Sequence, residues 1–416
     1  MINRLKPKSE FTRNVLTLMT GTTMAQAIPL AASPILTRIY SPEDFGLFAL
    51  FMSLAVIFSV IATGRYELAI MLPSKEEEAR SIVFLSVLIN IIISLTLFLI
   101  ISLFNAQITN LLGKDEISPW LYVLPFTVFL LGLFKSLNFW NNRGKKYKSL
   151  AFAQVSQSGM TAGANLSFGF LGYSSIGLII GNILGQIISI GMLSRSFFKT
   201  KIKIDNLKII ALAKKYKFFP KFSVLSGLIN VSSKEIPKII IANILEMKVL
   251  GFLSLAQRMM IAPIALFSSS IQQVFFQSAT KEYKEKGNVE TLYRSTRNKL
   301  FIIAVIPFIL LYIFAVDIFT FIFGDAWGEA GEIVKILVPF YFIYFIAAPL
   351  NIMFIVAEKQ KLEIQWQITF FIMSIGSLLF SSFISSDMYF ILTTFSISNA
   401  LVFLYALYLT NKIAKG

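Results

Sequence analysis

The feature that most constrains this chain is a rhythm of long apolar runs separated by short polar or basic interruptions. Each is close to the ~20 residues that cross a bilayer as a helix. Twelve such windows can be read, at 14–36, 45–71, 81–104, 119–139, 149–171, 174–193, 221–244, 249–277, 299–324, 331–357, 362–384 and 388–411. The runs are continuous, whereas a barrel strand needs only ~10 residues of alternating pattern, so helices are expected. Hydrophobic residues make up 56% of the 416 and charged residues 14%, against roughly a quarter charged in soluble domains. A typical soluble enzyme is excluded, and too little chain remains for a separate soluble domain of ~100 residues. The expected fold is all-α, a polytopic integral membrane protein of about twelve transmembrane helices in two six-helix lobes.

The absences bound the chemistry. With no Cys and no His, thiolate or imidazole metal sites and His-based triads have no residues to build them, so no metal or cofactor is expected. No Gly-rich phosphate loop of the Walker type is present. The chain is expected not to be an enzyme.

The net charge of +16 carries less information than its distribution, and nucleic acid is not the expected partner. Numbering the loops alternately places about 27 Lys and Arg in one set, while the other holds Arg38, Lys114 and Lys248. The positive-inside rule then puts both termini in the cytoplasm. The leader with Arg4, Lys6, Lys8 and Arg13 resembles a signal n-region. The apolar run behind it is longer than a signal core, so it is expected to be a true first helix. The longest connection, RSFFKTKIKIDNLKIIALAKKYKFFPK (195–221), marks a basic cytoplasmic linker, 194–220, between lobes at 1–193 and 221–416. Its IDNLKIIALAKKYKFF portion has helical apolar spacing and reads either as a helix on the anionic inner leaflet or as a solvated basic segment. A short internal repeat supports the two halves: Phe45-Gly46-Leu47-Phe48 follows the first span and Leu250-Gly251-Phe252-Leu253 follows the seventh.

Charges within the apolar windows are the sharpest signal, because each costs about 2.5–3.5 kcal/mol near a helix centre unless it meets water or a partner. The second window carries Arg65 and Glu67; two apart, they cannot face each other on one helix, so separate partners are expected. Arg65 can alternatively snorkel to the nearby cytoplasmic surface. In the seventh window Lys234 and Lys238 share a helical face, with Glu235 beside them, and the eighth adds Gln257 and Arg258 at similar depth. These cations either converge on a lumen or close into a Lys–Glu235 clasp. In the fifth window Gln154, Gln157, Ser158, Thr161 and Asn165 form one polar face suited to hydrogen-bonding sugar hydroxyls. The interleaved Gly159, Ala162 and Gly163 suit helix packing equally well. Thr20, Thr22, Thr23 and Gln26 make the first window polar too, and Pro29, Pro34 and Pro237 suggest bendable helices. A cationic, hydroxyl-rich cavity selects an anion, with phosphate or pyrophosphate the natural partner of clustered Arg and Lys.

Four segments carry a resemblance: LTRIYSPEDFGLFAL (36–50), TGRYELAIMLP (63–73), WNNRGKKYKSLA (140–151) and VLGFLSLAQRMMIAPIALFSSSIQQVF (249–275). They look like bacterial polysaccharide transporters of the O-unit flippase (Wzx-like) type, within the multidrug/oligosaccharidyl-lipid/polysaccharide (MOP) exporter superfamily that includes the MATE transporters. The resemblance implies two lobes of twelve or fourteen helices in the bacterial inner membrane. It also implies alternating access that moves an undecaprenyl-pyrophosphate oligosaccharide (O-antigen, capsule or related glycan) to the outer face. It maps a cationic lumen onto Arg65 and Arg258, and onto Lys234 and Lys238. It further implies proton or sodium coupling, with Glu67 and Glu235 as the intramembrane carboxylates, and a polymerase of the same glycan pathway as partner. Two alternatives are a MATE-like drug or cation exporter, which would need anionic sites, and a membrane glycan polymerase or ligase, which would need a large external loop.

Overall fold

The computed structural model describes residues 10–198 and 206–416. Arg4, Lys6 and Lys8 of the leader, and Lys199, Lys201 and Lys203 of the linker, lie outside the described residues, as does the side chain of Arg13. Among the described residues the architecture is helical, in the order α1 (Glu10–Ile39), α2 (Pro42–Ile61), α3 (Tyr66–Ala69), α4 (Glu76–Leu112), α5 (Ser118–Leu121), α6 (Leu124–Arg143), α7 (Tyr147–Phe170) and α8 (Ser175–Phe198). There follow α9 (Asn206–Lys215), α10 (Val224–Ile244), α11 (Met247–Lys286), α12 (Glu290–Phe323), α13 (Gly328–Leu350), α14 (Met353–Val356), α15 (Gln360–Ile384) and α16 (Met388–Ala414). Each of the twelve apolar windows contains one long helix, and three of them, 45–71, 119–139 and 331–357, also take in a short one, α3, α5 and α14. Eight spans are long and apolar enough to cross a membrane by length and composition, and α5 with α6 forms a further one bent by 55°. The other three windows are α1, α7 and α10, the helices whose polar stripes dilute their apolar character.

The chain divides into two compact units, one made of Met1–Tyr40 with Leu50–Val231 and the other of Ser41–Ala49 with Ser232–Gly416. Within the first, α7 packs on α8 and α1, and α4 on α6; within the second, α13 is flanked by α12, α11 and α16. The same punctuation recurs in both halves. After α4, Gly113 (φ 66°) leads into a tight turn at Asp115–Ile117. After α12, Gly324 (φ 100°) leads into the matching turn at Asp325–Trp327. Lys145 (φ 52°) before α7 and Glu358 (φ 56°) before α15 are matching left-handed residues.

The short repeat has a direct structural meaning inside the second unit. A Cβ on Gly46 would lie 2.1 Å from the Met247 carbonyl oxygen, and one on Gly251 would lie 1.8 Å from the Pro42 carbonyl oxygen. Pro42 stands four residues before Gly46 and Met247 four before Gly251, so each segment's glycine meets the residue four before the other's, in reciprocal backbone contacts related by a local two-fold. Trp327, fully buried, edges onto both neighbouring rings, Phe45 at 5.0 Å and Phe252 at 5.8 Å.

The linker forms the helix α9, and it divides its apolar residues: Ile209 and Leu212 are buried against Tyr66, Ile70, Ile82 and Trp140, while Ile210 is 55% exposed. Lys208 and Lys215 turn outward to Glu77 (3.7 Å) and Glu78 (4.0 Å) at the start of α4.

The reciprocal glycines give a test of the fold. Gly251→Ala forces a methyl into a backbone carbonyl that cannot swing aside, and is expected to destabilise the chain by about 2 kcal/mol or more. Gly159→Ala, whose Cβ would meet nothing within 4 Å, should leave the thermal midpoint in detergent essentially unchanged.

Candidate functional site: cations within the spans

The second apolar window is not one helix. α2 ends at Ile61, and Gly64 (φ 57°) and Arg65 (φ 61°) are left-handed before α3 begins. An arginine in that region costs on the order of 1 kcal/mol or more, so the surroundings must hold it there. The turn swings Arg65 and Glu67 to the same side, and Arg65 Nη1 lies 3.6 Å from Glu67 Oε1. This overturns the expectation of separate partners, which assumed a continuous helix. The other carboxylate oxygen, Oε2, accepts a hydrogen bond from Thr63 Oγ1. Glu67 is 1% exposed and Arg65 23%, so the carboxylate is sealed in while the guanidinium keeps an open edge.

Three consecutive residues thus reach three different elements. Arg65 Nε donates to the Ser223 carbonyl (3.4 Å), at the wide turn Phe219–Ser223 that leads into α10. Tyr66 donates its hydroxyl to the Ala213 carbonyl of α9 (3.0 Å), and Glu67 turns back to Thr63. The guanidinium lies flat on Gly227 of α10, where a Cβ would come within 2.3 Å of Nη2 and 2.8 Å of Cζ. Arg143, at the end of α6, fixes the following loop by donating to the carbonyls of Ile70 and Met71 (3.2 Å each).

Sequence reasoning missed Lys135. It stands on α6 with Nζ donating to the carbonyl oxygen and the hydroxyl of Ser59, both at 2.9 Å. It also lies within electrostatic reach of Glu67 and Arg65. Ser59 is in the last turn of α2, where carbonyls lack helical donors, so the broken span itself supplies the ammonium's seat. The signal was present: a lone Lys inside the apolar run of α6 obeys the same rule as Arg65.

In the same unit the polar face of α7 is divided between neighbours. Gln154 accepts from Thr22 Oγ1 of α1 (3.0 Å), and Gln157 is half-buried. A Cβ on Gly185 of α8 would fall 2.0 Å from Thr161 Oγ1. Asn165 is buried against Gly181, with its amide nitrogen turned to the carbonyls of Thr161 (3.1 Å) and Gly177 (3.3 Å). Tyr40 donates to its backbone carbonyl (2.7 Å). The Thr161–Asn165 end therefore joins α7 to α8, in the way small and polar residues join helices in lipid.

In the second unit, Lys238 Nζ lies 2.9 Å from Glu235 Oε2, one turn apart on α10, at 24% and 16% exposure. Lys234 is exposed one turn earlier, and Arg258 is half-exposed on α11. The clasp read from the sequence thus takes up Lys238 and leaves Lys234 outside it. Among these span residues, Arg65 pairs with Glu67 and Lys238 with Glu235, while Lys135, Lys234 and Arg258 have no carboxylate within 4 Å among the described residues.

Comparison with known proteins places this arrangement. The fold is shared with the lipid II flippase MurJ in an inward closed conformation (TM-score 0.77, 15% identity, covering 96% of this chain and 90% of that one). It is shared too with an inward-facing multidrug resistance MATE family transporter of the MOP superfamily (0.66, 15%, 96% and 94%). A third match is a MOP superfamily transporter from Pyrococcus furiosus Vc1 (DSM3638), described by the reverse polarity of its binding pocket (0.61, 15%, 96% and 95%). In sequence the chain is 22% identical over 331 residues to the succinoglycan biosynthesis transport protein ExoT of Rhizobium meliloti (strain 1021). That match covers 78% of this chain and 65% of the relative, so the chain spans less than two thirds of that protein's length. A family model described as polysaccharide biosynthesis protein matches residues 35–332. The chain belongs to the polysaccharide biosynthesis protein family.

Proposed function

We propose that this chain is a flippase for an anionic, lipid-linked glycan. Its cargo is an undecaprenyl-pyrophosphate oligosaccharide, moved by alternating access from the cytoplasmic to the outer face of a bacterial inner membrane. The lobes at 1–193 and 221–416, joined by the 194–220 linker, are the moving parts, and both termini are cytoplasmic. The observation that carries the reading is the excess of cations over carboxylates within the twelve apolar windows: Arg65, Lys135, Lys221, Lys234, Lys238, Arg258, Lys299 and Lys335 against Glu67, Glu235, Asp317, Glu332 and Glu363. A pyrophosphate supplies the missing negative charge and suits planar guanidinium donors. A carrier of cationic drugs would need the opposite balance. The family and the named role of the succinoglycan relative support a glycan as the transported group.

The Arg65 clasp suggests how cargo and coupling ion communicate. Pyrophosphate reaching the open edge of Arg65 competes with Glu67 for the same guanidinium. A carboxylate that loses this partner in a buried site needs another cation, so binding of a proton or sodium ion at Glu67 is tied to cargo binding. Glu235 is the corresponding candidate in the second unit, with Lys238 as the partner to be displaced. Gln154 and Gln157 are the better placed of the sugar contacts, since Thr161 and Asn165 are engaged with α8.

Export of surface glycan, read together with mass spectrometry of the lipid fraction, tests this. Arg65→Ala and Arg258→Ala are each expected to cut export about 10- to 100-fold, as loss of a charged hydrogen-bonding partner implies. The lipid-linked oligosaccharide should accumulate in both strains. Normal lipid and glycan with altered drug sensitivity would instead assign the chain to drug export. Gly227→Ala pushes the guanidinium aside without removing its charge. Because a flexible side-chain end gives way easily, the variant is expected to keep its thermal midpoint while losing several-fold in export, and to add nothing to Arg65→Ala.

A further inference from the structure

The turn between α9 and α10 carries a feature that neither the fold nor the proposed transport uses. It alternates sharply: Tyr216 and Phe219 pack inward against the cluster around Tyr66, Ile70 and Ile82. Phe218 and Phe222 point outward, 59% and 56% exposed, and stack on each other at 5.9 Å. Leu225, on the same stripe one turn further on, is 59% exposed. Two ammonium groups lie over the exposed rings, Lys217 over Phe218 at 5.8 Å and Lys221 over Phe222 at 5.3 Å. Lys208 and Lys215 are paired with Glu77 and Glu78. Lys214, Lys217 and Lys221 are exposed and enter no ion pair among the described residues.

We propose that the Lys217–Phe222 turn is a binding site for the headgroup of an anionic phospholipid. Two large rings and a leucine left in water are unfavourable. The same rings at the entry of an apolar helix suit the boundary between headgroups and acyl chains, where aromatic side chains collect. Lysines beside them bury their stems on the rings and present their charge to phosphate. The occupant is anionic because Lys214, Lys217 and Lys221 have no carboxylate within 4 Å among the described residues. Lipid contact centres on this turn, since on α9 Ile209 and Leu212 are covered by protein and Ile210 stays exposed beside it. The inference rests on the reading that this connection faces the cytoplasmic leaflet. It does not depend on the glycan cargo, since the test uses purified chain without cargo.

The experiment is native mass spectrometry of the full chain from micelles doped with equal phosphatidylglycerol and phosphatidylcholine. Wild type is expected to retain phosphatidylglycerol preferentially, and Lys217→Gln/Lys221→Gln to weaken that preference by about 30-fold, with single variants losing about fivefold each. Lys217→Arg/Lys221→Arg should restore it. Equal retention of the two lipids by wild type, or unchanged retention by the Gln variants, would overturn the proposal. So would displacement of the bound lipid by an equal concentration of inorganic pyrophosphate, which would assign the turn to free phosphate. If the double variant does not fold, the single variants carry the test.

Discussion

A charge inside a bilayer must find a partner or water, and the left-handed turn at Gly64–Arg65 is where the first unit meets that demand. A straight helix through residues 45–71 would have sent Arg65 and Glu67 in different directions. Breaking it costs backbone strain and leaves carbonyls at the end of α2 without donors. The break is answered locally by Glu67 opposite Arg65, Thr63 on the second carboxylate oxygen, and Lys135 on the freed Ser59 carbonyl. The same turn points Tyr66 at α9 and Arg65 at the entry to α10. Removing the turn would unseat the linker helix as well as the ion cluster.

The fold was legible because a bilayer reads sequence coarsely. Apolar runs of the right length place the helices, including the three least apolar, α1, α7 and α10. What escaped was backbone geometry. Nothing in Thr-Gly-Arg-Tyr-Glu states that Arg65 will be left-handed, since only Gly64 is a residue that favours that region, and so the Arg65–Glu67 pair was reasoned away. The amphipathic pattern of α9 was correctly helical, but amphipathicity cannot say whether an apolar face meets lipid or protein. Tyr66, Ile70 and Trp140, distant in sequence, decide that for Ile209 and Leu212. Lys135 was overlooked because a single charge in a long apolar run looks minor until its seat at Ser59 is seen.

The internal repeat sharpens the argument about function. Gly46 and Gly251 fix the register of the two halves through their reciprocal contacts. In that register Thr63, Gly64 and Arg65 fall opposite Ser268, Ser269 and Ser270. There α11 stays helical, with Ser269 and Ser270 hydroxyls bonding back to the Leu266 carbonyl (3.1 and 3.2 Å). Such back-bonding bends a helix without breaking it. Arg258 in turn falls opposite Ser53, which is buried and uncharged.

The halves therefore share elements, turns and the glycine contact but not their charges. Packing alone would leave charge no reason to differ between two copies of one scaffold. The proposed cargo, with a charged head, a polar glycan and a hydrocarbon tail, is itself asymmetric. An exposed guanidinium edge on a broken span in one half and, on an unbroken helix in the other, an arginine with no carboxylate within 4 Å among the described residues suit such a cargo better than a small symmetric ion. In the proposed cycle the broken span is the part that changes shape, its turn being held by contacts of Arg65 that a stronger anion would replace. The continuous α11 keeps Arg258 on a fixed frame. One cation that moves and one that stays give the proposed transport cycle a trigger and a reference point.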